Sequence, residues 1–405
     1  MDLSQYTKIA CALCLLISTG ASAQTMHKGI DPKTLPAPNA TPSADNGAQM
    51  VPQPAGVSLK LPPGFQINLY AEGMKNARWG AVAPNGDFFV CESGQNRVIA
   101  LRDETGGGTA TKREVFASGL DQPFGIQFWK DYLYIANTSS IIRYKYKSGQ
   151  MVADGAPETV VAEVPGNGYR GHWTRDLEFN LTGTKMYVTV GSSVNIGEET
   201  DTKRATILEY NPDGTGGRIF ASGLRNATGK SFNPKTGELW ANVNERDGLG
   251  DDLVPDYFTS VKDGGFYGWP YYYSGKYHDP RMPEKPELKA AALTPDLLLT
   301  SHVAALGSIF YTGKMFPKEY QGDAFLAFHG SGNRSKRVGY CVVRVPFKNG
   351  KIQGGWEDFV TGWMLGEDDK RVWGRPVGLA VDKQGALLII DDGANKIWRV
   401  TYKKP

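Results

Sequence analysis

His172 stands in "GHWTRDLEF", just ahead of an alternating apolar run. An imidazole ionises near neutral pH, so it is the side chain best suited to take a proton from a hydroxyl. Five more polar side chains occupy comparable places at the entry to apolar strand patterns: Arg78, Gln122, Arg225, His302 and Arg375. Three arginines, two histidines and one amide, with no carboxylate, describe a pocket for a polyanion. Arg334 and Lys336, in "HGSGNRSKRVGY", add positive charge to the same mouth. "NERDGLGDD", residues 244–252, supplies four carboxylates in a glycine-containing loop. Hard oxygen donors in such a loop suit calcium, although the spacing is not that of an EF-hand.

Six residues meet at one pocket only if six similar elements carry them. One unit does recur: an apolar strand, a Gly or Asp turn, an alternating strand, a second turn and another strand. It begins near Ala81, Ile126, Leu177, Ser231, Ser308 and Leu379. Asn85-Gly86 and Gln384-Gly385 mark hairpins between period-two runs, because Asn and Gly tolerate positive φ. A repeat of roughly 40–60 residues, each forming one small antiparallel sheet, is the signature of a β-propeller. The fold class expected is therefore all-β, a six-bladed propeller of four-stranded blades over residues 57–405, closed by "FQINLYA" pairing with the last blade. An aromatic stretch of 28 residues from Leu253 is read as an insertion after the fourth blade, covering one end.

"GHWTRDLEF", "GLRNATGKSFNPKTGELWANVNERDGLGDDLVPDY", "GGFYGWPYYY", "HGSGNRS" and "GRPVGLAVDKQGALLIIDD" together resemble the sorbosone dehydrogenase family. These are exported sugar dehydrogenases that use pyrroloquinoline quinone (PQQ) and are related to soluble quinoprotein glucose dehydrogenase. The resemblance implies oxidation of a sugar or sugar aldehyde, with His172 as general base and hydride passing to the quinone. It makes Arg225 the group that stabilises negative charge on the reduced quinone. Gln122, Arg375 and either Lys336 or Arg334 become cofactor contacts, and the backbone carbonyls of Glu245 and Arg246 become calcium ligands. Where the glucose enzyme has an aspartate before the histidine, this chain has Gly171, which argues against glucose as substrate.

The N-terminus carries Lys8, an apolar run from Ile9 to Ile17 and Ala21-Ser22-Ala23. That run is too short to span a bilayer, so residues 1–23 read as a cleaved signal and the mature protein as periplasmic or secreted. Residues 24–56, rich in Pro, Ala and Asn, read as a flexible or surface-draped leader. Cys11 and Cys14 leave with the signal; Cys91 and Cys341 read as two separate buried thiols. A net charge of +3 over 405 residues gives no electrostatic footprint for nucleic acid or a membrane surface. No C-x-x-C-H haem motif is present, so electrons must leave to an external acceptor, a cytochrome or a quinone. Two rival readings stand beside this one. A calcium-dependent lactonase on a similar scaffold needs side-chain oxygens around an axial metal, and a non-enzymatic binding propeller has no use for the ring.

Overall fold

Period-two strands separated by Gly, Asn and Asp turns build six antiparallel four-stranded sheets in the computed structural model, which describes residues 25–166 and 172–403. The signal segment and Gly171 lie outside the described residues. Blade one contains Ala77–Val82, Phe88–Glu92, Arg97–Arg102 and Lys112–Ser118. Blades two to five follow in sequence order, with first strands Gly125–Trp129, Leu177–Phe179, Ala227–Phe232 and Ala305–Phe310. Blade six takes Pro376–Val381, Leu387–Asp391 and Lys396–Tyr402 from the C-terminus, and its fourth strand, Phe65–Glu72, from the N-terminal side. The six-bladed propeller expected from the repeat is the fold observed, closed by the strand the sequence nominated.

The first strands pack against one another around the axis, and glycine permits it. Blades four, five and six each carry a register shift near the start of the first strand, followed by Gly229, Gly307 or Gly378. A Cβ at any of them would stand 2.1–2.6 Å from a backbone carbonyl of the next blade, of Leu306, Val377 or Arg78. Only glycine lets the two backbones approach that closely.

Between blades the core is aliphatic and aromatic. Phe65 is buried and packs edge-on against Phe316, Tyr320, Phe359 and Tyr402. Cys91 and Cys341 are free and buried in separate blades.

One boundary differs from the sequence reading. The aromatic insertion lies inside blade four, not after it: Pro255–Ser260 is that blade's third strand and Leu297–Ser301 its fourth. Pro255 opens that strand, where its missing N–H costs no interior ladder bond. Of the two arrangements expected for the leader, flexible or surface-draped, its strand pairing corresponds to the second. Met26–Lys28 adds a fifth strand to blade five, and Gln49–Met50 pairs in parallel with Arg371–Val372. The segment is held by hydrogen bonds more than by buried side chains.

Phe65 belongs to the strand that closes the ring. Phe65→Ala should lower unfolding stability by about 3–5 kcal/mol, read by denaturant melts, whereas replacing an exposed leader residue such as Lys33 should change it by less than about 0.5 kcal/mol.

Candidate functional site

Antiparallel pairing decides which residues can meet. Each first strand starts at one end of the propeller and its neighbour returns to that end: Ala227 pairs with Val243, Ala305 with Phe328 and Pro376 with Asp391. Residues just before a first strand and just after a second therefore share one rim. At that rim lies a cavity of about 360 Å³. His172, Arg225, His302 and Arg375 line it from the entries of blades three to six, and Glu245 lines it from a second-strand exit.

His172 is buried, with Nδ1 3.0 Å from both the carbonyl and the hydroxyl oxygen of Ser192. The Ser192 hydroxyl donates to the Val194 carbonyl at 2.6 Å. Both Ser192 oxygens are thus acceptors toward the ring, so Nδ1 carries the hydrogen and Nε2 is the basic nitrogen. Burial, followed by the positive charge of Arg225, pushes His172 down to about 3, so it is neutral at physiological pH. Arg175 is fully buried and donates to the His172 carbonyl at 2.9 Å, fixing the backbone beneath the imidazole. Gly191 leaves room for it: a Cβ there would stand 2.4 Å from Asn226 Oδ1 and 2.7 Å from His172 Cβ.

Arg225 is held by oxygen atoms of the neighbouring loops. It donates to the carbonyls of Asn195 at 3.0 Å and Glu245 at 2.7 Å, and to Asn195 Oδ1 at 2.9 Å. Asp247 is 3.7 Å away. Arg375 donates to the carbonyls of His329 and Gly330, at 3.1 and 3.2 Å. Burial lowers its pKa, and the nearby Asp392 carboxylate offsets part of that shift. A bound carboxylate would add a second counter-charge.

His302 plays a different part from His172. Its Nδ1 faces Asp247 Oδ1 at 3.2 Å and its Nε2 faces the Gly250 carbonyl at 3.1 Å. With an acceptor at each nitrogen it is an imidazolium; burial opposes the charge, but Asp247 and Asp256 raise its pKa on balance. Burial pushes Asp256 up to about 7, while it accepts from the Glu245 and Ala304 N–H groups.

The ring is thus not free of carboxylates, contrary to the expectation. Asp247 and Asp256 line the cavity. Asp392 sits behind it, paired with Arg78 and, at 2.8 Å, with His329. Arg78 is consequently spent on an internal ion pair, and it lies over the Trp173 ring. Gln122 is exposed and absent from the lining. Arg334 is drawn to Asp252 at 2.7 Å and to the Asp251 carbonyl at 2.6 Å. Lys336 is exposed, 3.9 Å from Glu367. Arg337 of the same loop is fully buried and bonded to the Asp369 and Asn46 carbonyls, and it too is outside the cavity lining. Arg246 is also outside the lining. Its guanidinium is 0% exposed, pairs with Glu245 and Asp279, and grips the Pro270 and Tyr272 carbonyls of the insertion.

Among the described residues no cluster of three or more His, Cys, Asp or Glu side chains is placed to hold a metal. The cavity does offer a cation lone oxygens: Asn226 lines it, and Asn226 Oδ1 is buried without a hydrogen-bond donor. Burying such an acceptor unpaired costs about 1–3 kcal/mol. Backbone carbonyls such as that of Glu245 keep a second lone pair beyond the Arg225 bond. The donor set therefore fits a ligand that carries carboxylates together with a hard cation.

A TrAA12-like family profile matches residues 59–255 and 285–403. The chain belongs to the TrAA12-like family. A protein of Borreliella burgdorferi is 28% identical over 357 residues, 86% of this chain and 92% of its own. Among solved structures, the holo form of the PQQ domain of a pyranose dehydrogenase from Coprinopsis cinerea superposes with a TM-score of 0.72 at 21% identity, covering 86% of this chain and 98% of that one. A calcium structure of a family AA12 enzyme from Trichoderma reesei gives 0.75 at 20% identity, covering 87% and 98%. At 20–21% identity the likeness to these neighbours is one of fold, and the unmatched residues 256–284 of this family member fall largely in its blade-four insertion.

The neutral His172 has a measurable consequence. Its folded pKa lies below the unfolded value near 6.5, so below that pH the unfolded chain binds a proton that the fold refuses, and stability falls with acidification. His172→Asn should reduce the slope of unfolding free energy against pH by about 1.4 kcal/mol per pH unit between pH 5.5 and 4. An unchanged slope would mean that the folded imidazole is charged.

Proposed function

We propose that the protein is an exported quinoprotein that oxidises a sugar or sugar aldehyde and passes the electrons to an external acceptor. The observation that carries this reading is the meeting, in one rim cavity, of a neutral buried imidazole with Arg225 and Arg375, whose guanidiniums are bonded chiefly to carbonyls. PQQ, a tricarboxylate quinone, would be held there by Arg375 and Arg225, with calcium at the Glu245 carbonyl and Asn226 Oδ1. When bound, it supplies the acceptor for the two electrons and the hydrogen that leave the sugar carbon.

The chain's own part is to bind, orient and move one proton. His172 accepts the hydroxyl proton at Nε2, and the Nδ1–H bond to Ser192 keeps that tautomer in place. The charge of Arg225 lies close enough to depress His172. Proton release from the resulting imidazolium is therefore favourable. Arg225 also presents positive charge to any anion developing in the cavity. Substrate choice rests with the rim loops, so sorbosone-type aldehydes and aldoses are the classes to screen. Export rests on the N-terminal signal pattern.

The lactonase reading keeps one observation in its favour, the Asn226, Asn244, Asp247 and Asp256 side chains at the same cavity. Purified protein with PQQ and calcium, screened on aldoses and sugar aldehydes, should reduce a dye only when both are added. His172→Gln should lower the rate by at least about 100-fold. Equal rates in the two proteins would remove His172 from the chemistry. Lactone hydrolysis without quinone would favour the rival.

A further inference from the structure

The cavity is bordered by two loops that lack strand pairing across their span, residues 247–252 and 330–337. The first carries Asp247 and Gly250, the two partners of His302. The second places Gly332 and Asn333 in the lining. Both loops meet the leader, which lies outside the residues shared with the family profile.

From these contacts we infer that Thr41, Ser43 and Asn46 are positioning residues, a polar strap that fixes the two rim loops and, through Gly250, the orientation of His302 in the cavity.

The peptide groups around Gly250 are held from both sides. Ser43 Oγ accepts from the Gly250 N–H at 3.1 Å, and Thr41 Oγ1 from the Asp251 N–H at 2.8 Å. The Gly250 carbonyl accepts from His302. Gly250 has φ +105°, and a Cβ on it would stand 2.6 Å from the Thr41 carbonyl, so strap and loop are in backbone contact. Asn39 adds a bond from its N–H to the Leu249 carbonyl at 2.8 Å.

Asn46 does the same for the other loop and uses every polar atom it has. Its N–H donates to the Gly332 carbonyl at 2.7 Å, and Nδ2 to the Ser335 and Arg334 carbonyls at 2.9 and 3.2 Å. Its carbonyl and Oδ1 each accept from the buried Arg337 at 3.1 Å. The loops also meet one another, since Asp251 accepts from the Ser335 N–H at 2.9 Å. Short polar side chains are what this task requires, because they reach backbone groups that no strand ladder satisfies. The composition that suggested a flexible or surface-draped leader is the composition of a strap.

The test uses the full chain with Thr41→Val/Ser43→Ala, Asn46→Ala and, as the conservative control, Thr41→Ser. Three quantities are read: the thermal midpoint, the dissociation constant for PQQ in calcium by tryptophan fluorescence, and the His302 ring resonances at one pH. The chain has five histidines, and His302→Asn assigns the signal. The double variant should shift the His302 resonances, and both it and Asn46→Ala should weaken PQQ binding by about tenfold or more. Thr41→Ser should stay within about twofold of wild type. Wild-type affinity and unmoved His302 signals in the strap variants would overturn the assignment, and so would a Thr41→Ser variant as impaired as the double one. The affinity arm rests on the proposed function. Should wild-type protein bind no PQQ, that function fails, while the His302 resonances still decide the strap.

Discussion

An antiparallel strand pair returns the chain to the end from which it set out, and the site depends on that constraint more than on any single contact. In every blade it puts the entry to the first strand beside the exit of the second. Six such pairs around one axis gather twelve short segments at one rim. His172, Arg225, His302 and Arg375 come from entries. Ser192, Glu245, Asp247, His329 and Asp392 come from the stretch after second strands and either line the cavity or hold those that do. Closure by Phe65–Glu72 keeps the register of the ring, because blade six is incomplete without it.

Electrostatics then divides labour among residues of one type. His172 and His302 occupy the same cavity, yet one is neutral and the other charged. The difference lies in their partners: His172 donates from one nitrogen to Ser192 near the charge of Arg225, whereas His302 has an acceptor at both nitrogens. The arginines divide similarly. Arg78, Arg246 and Arg334 are consumed by carboxylates and become structural. Arg225 and Arg375 are bonded mainly to carbonyl oxygens, with Asp247 3.7 Å from Arg225 and the Asp392 carboxylate near Arg375. Both guanidiniums line the cavity, where they present positive charge to an anion.

The fold was legible because strand period and turn chemistry are local properties, repeated six times. The entry residues were legible for the same reason, and four of the six nominated reach the cavity. Gln122 and Arg78 do not, since an entry position fixes the rim but not the direction of a side chain, and Asp392 captured Arg78. Asp247 belongs to the 244–252 loop already singled out for its carboxylates, whereas Asp392 and His329 were missed because only first-strand entries were compared. Inspecting second-strand exits would have drawn attention to Asp392 after "LLIID" and His329 after "AFLAF". Arg334, Lys336 and Arg337 are indistinguishable by spacing. The one that is buried, Arg337, is bonded to Asn46, nearly 300 residues away in the chain, a contact that no local pattern encodes.

The central claim is that Arg225 and Arg375 hold one anionic redox ligand against the neutral His172. A crystal structure of the protein soaked with PQQ and calcium tests it most directly. Electron density for the quinone is expected in the rim cavity, with a carboxylate on Arg375 and Nε2 of His172 directed at the open face of the ring. Quinone bound elsewhere on the propeller, or a cavity holding only solvent at saturating ligand, would contradict it.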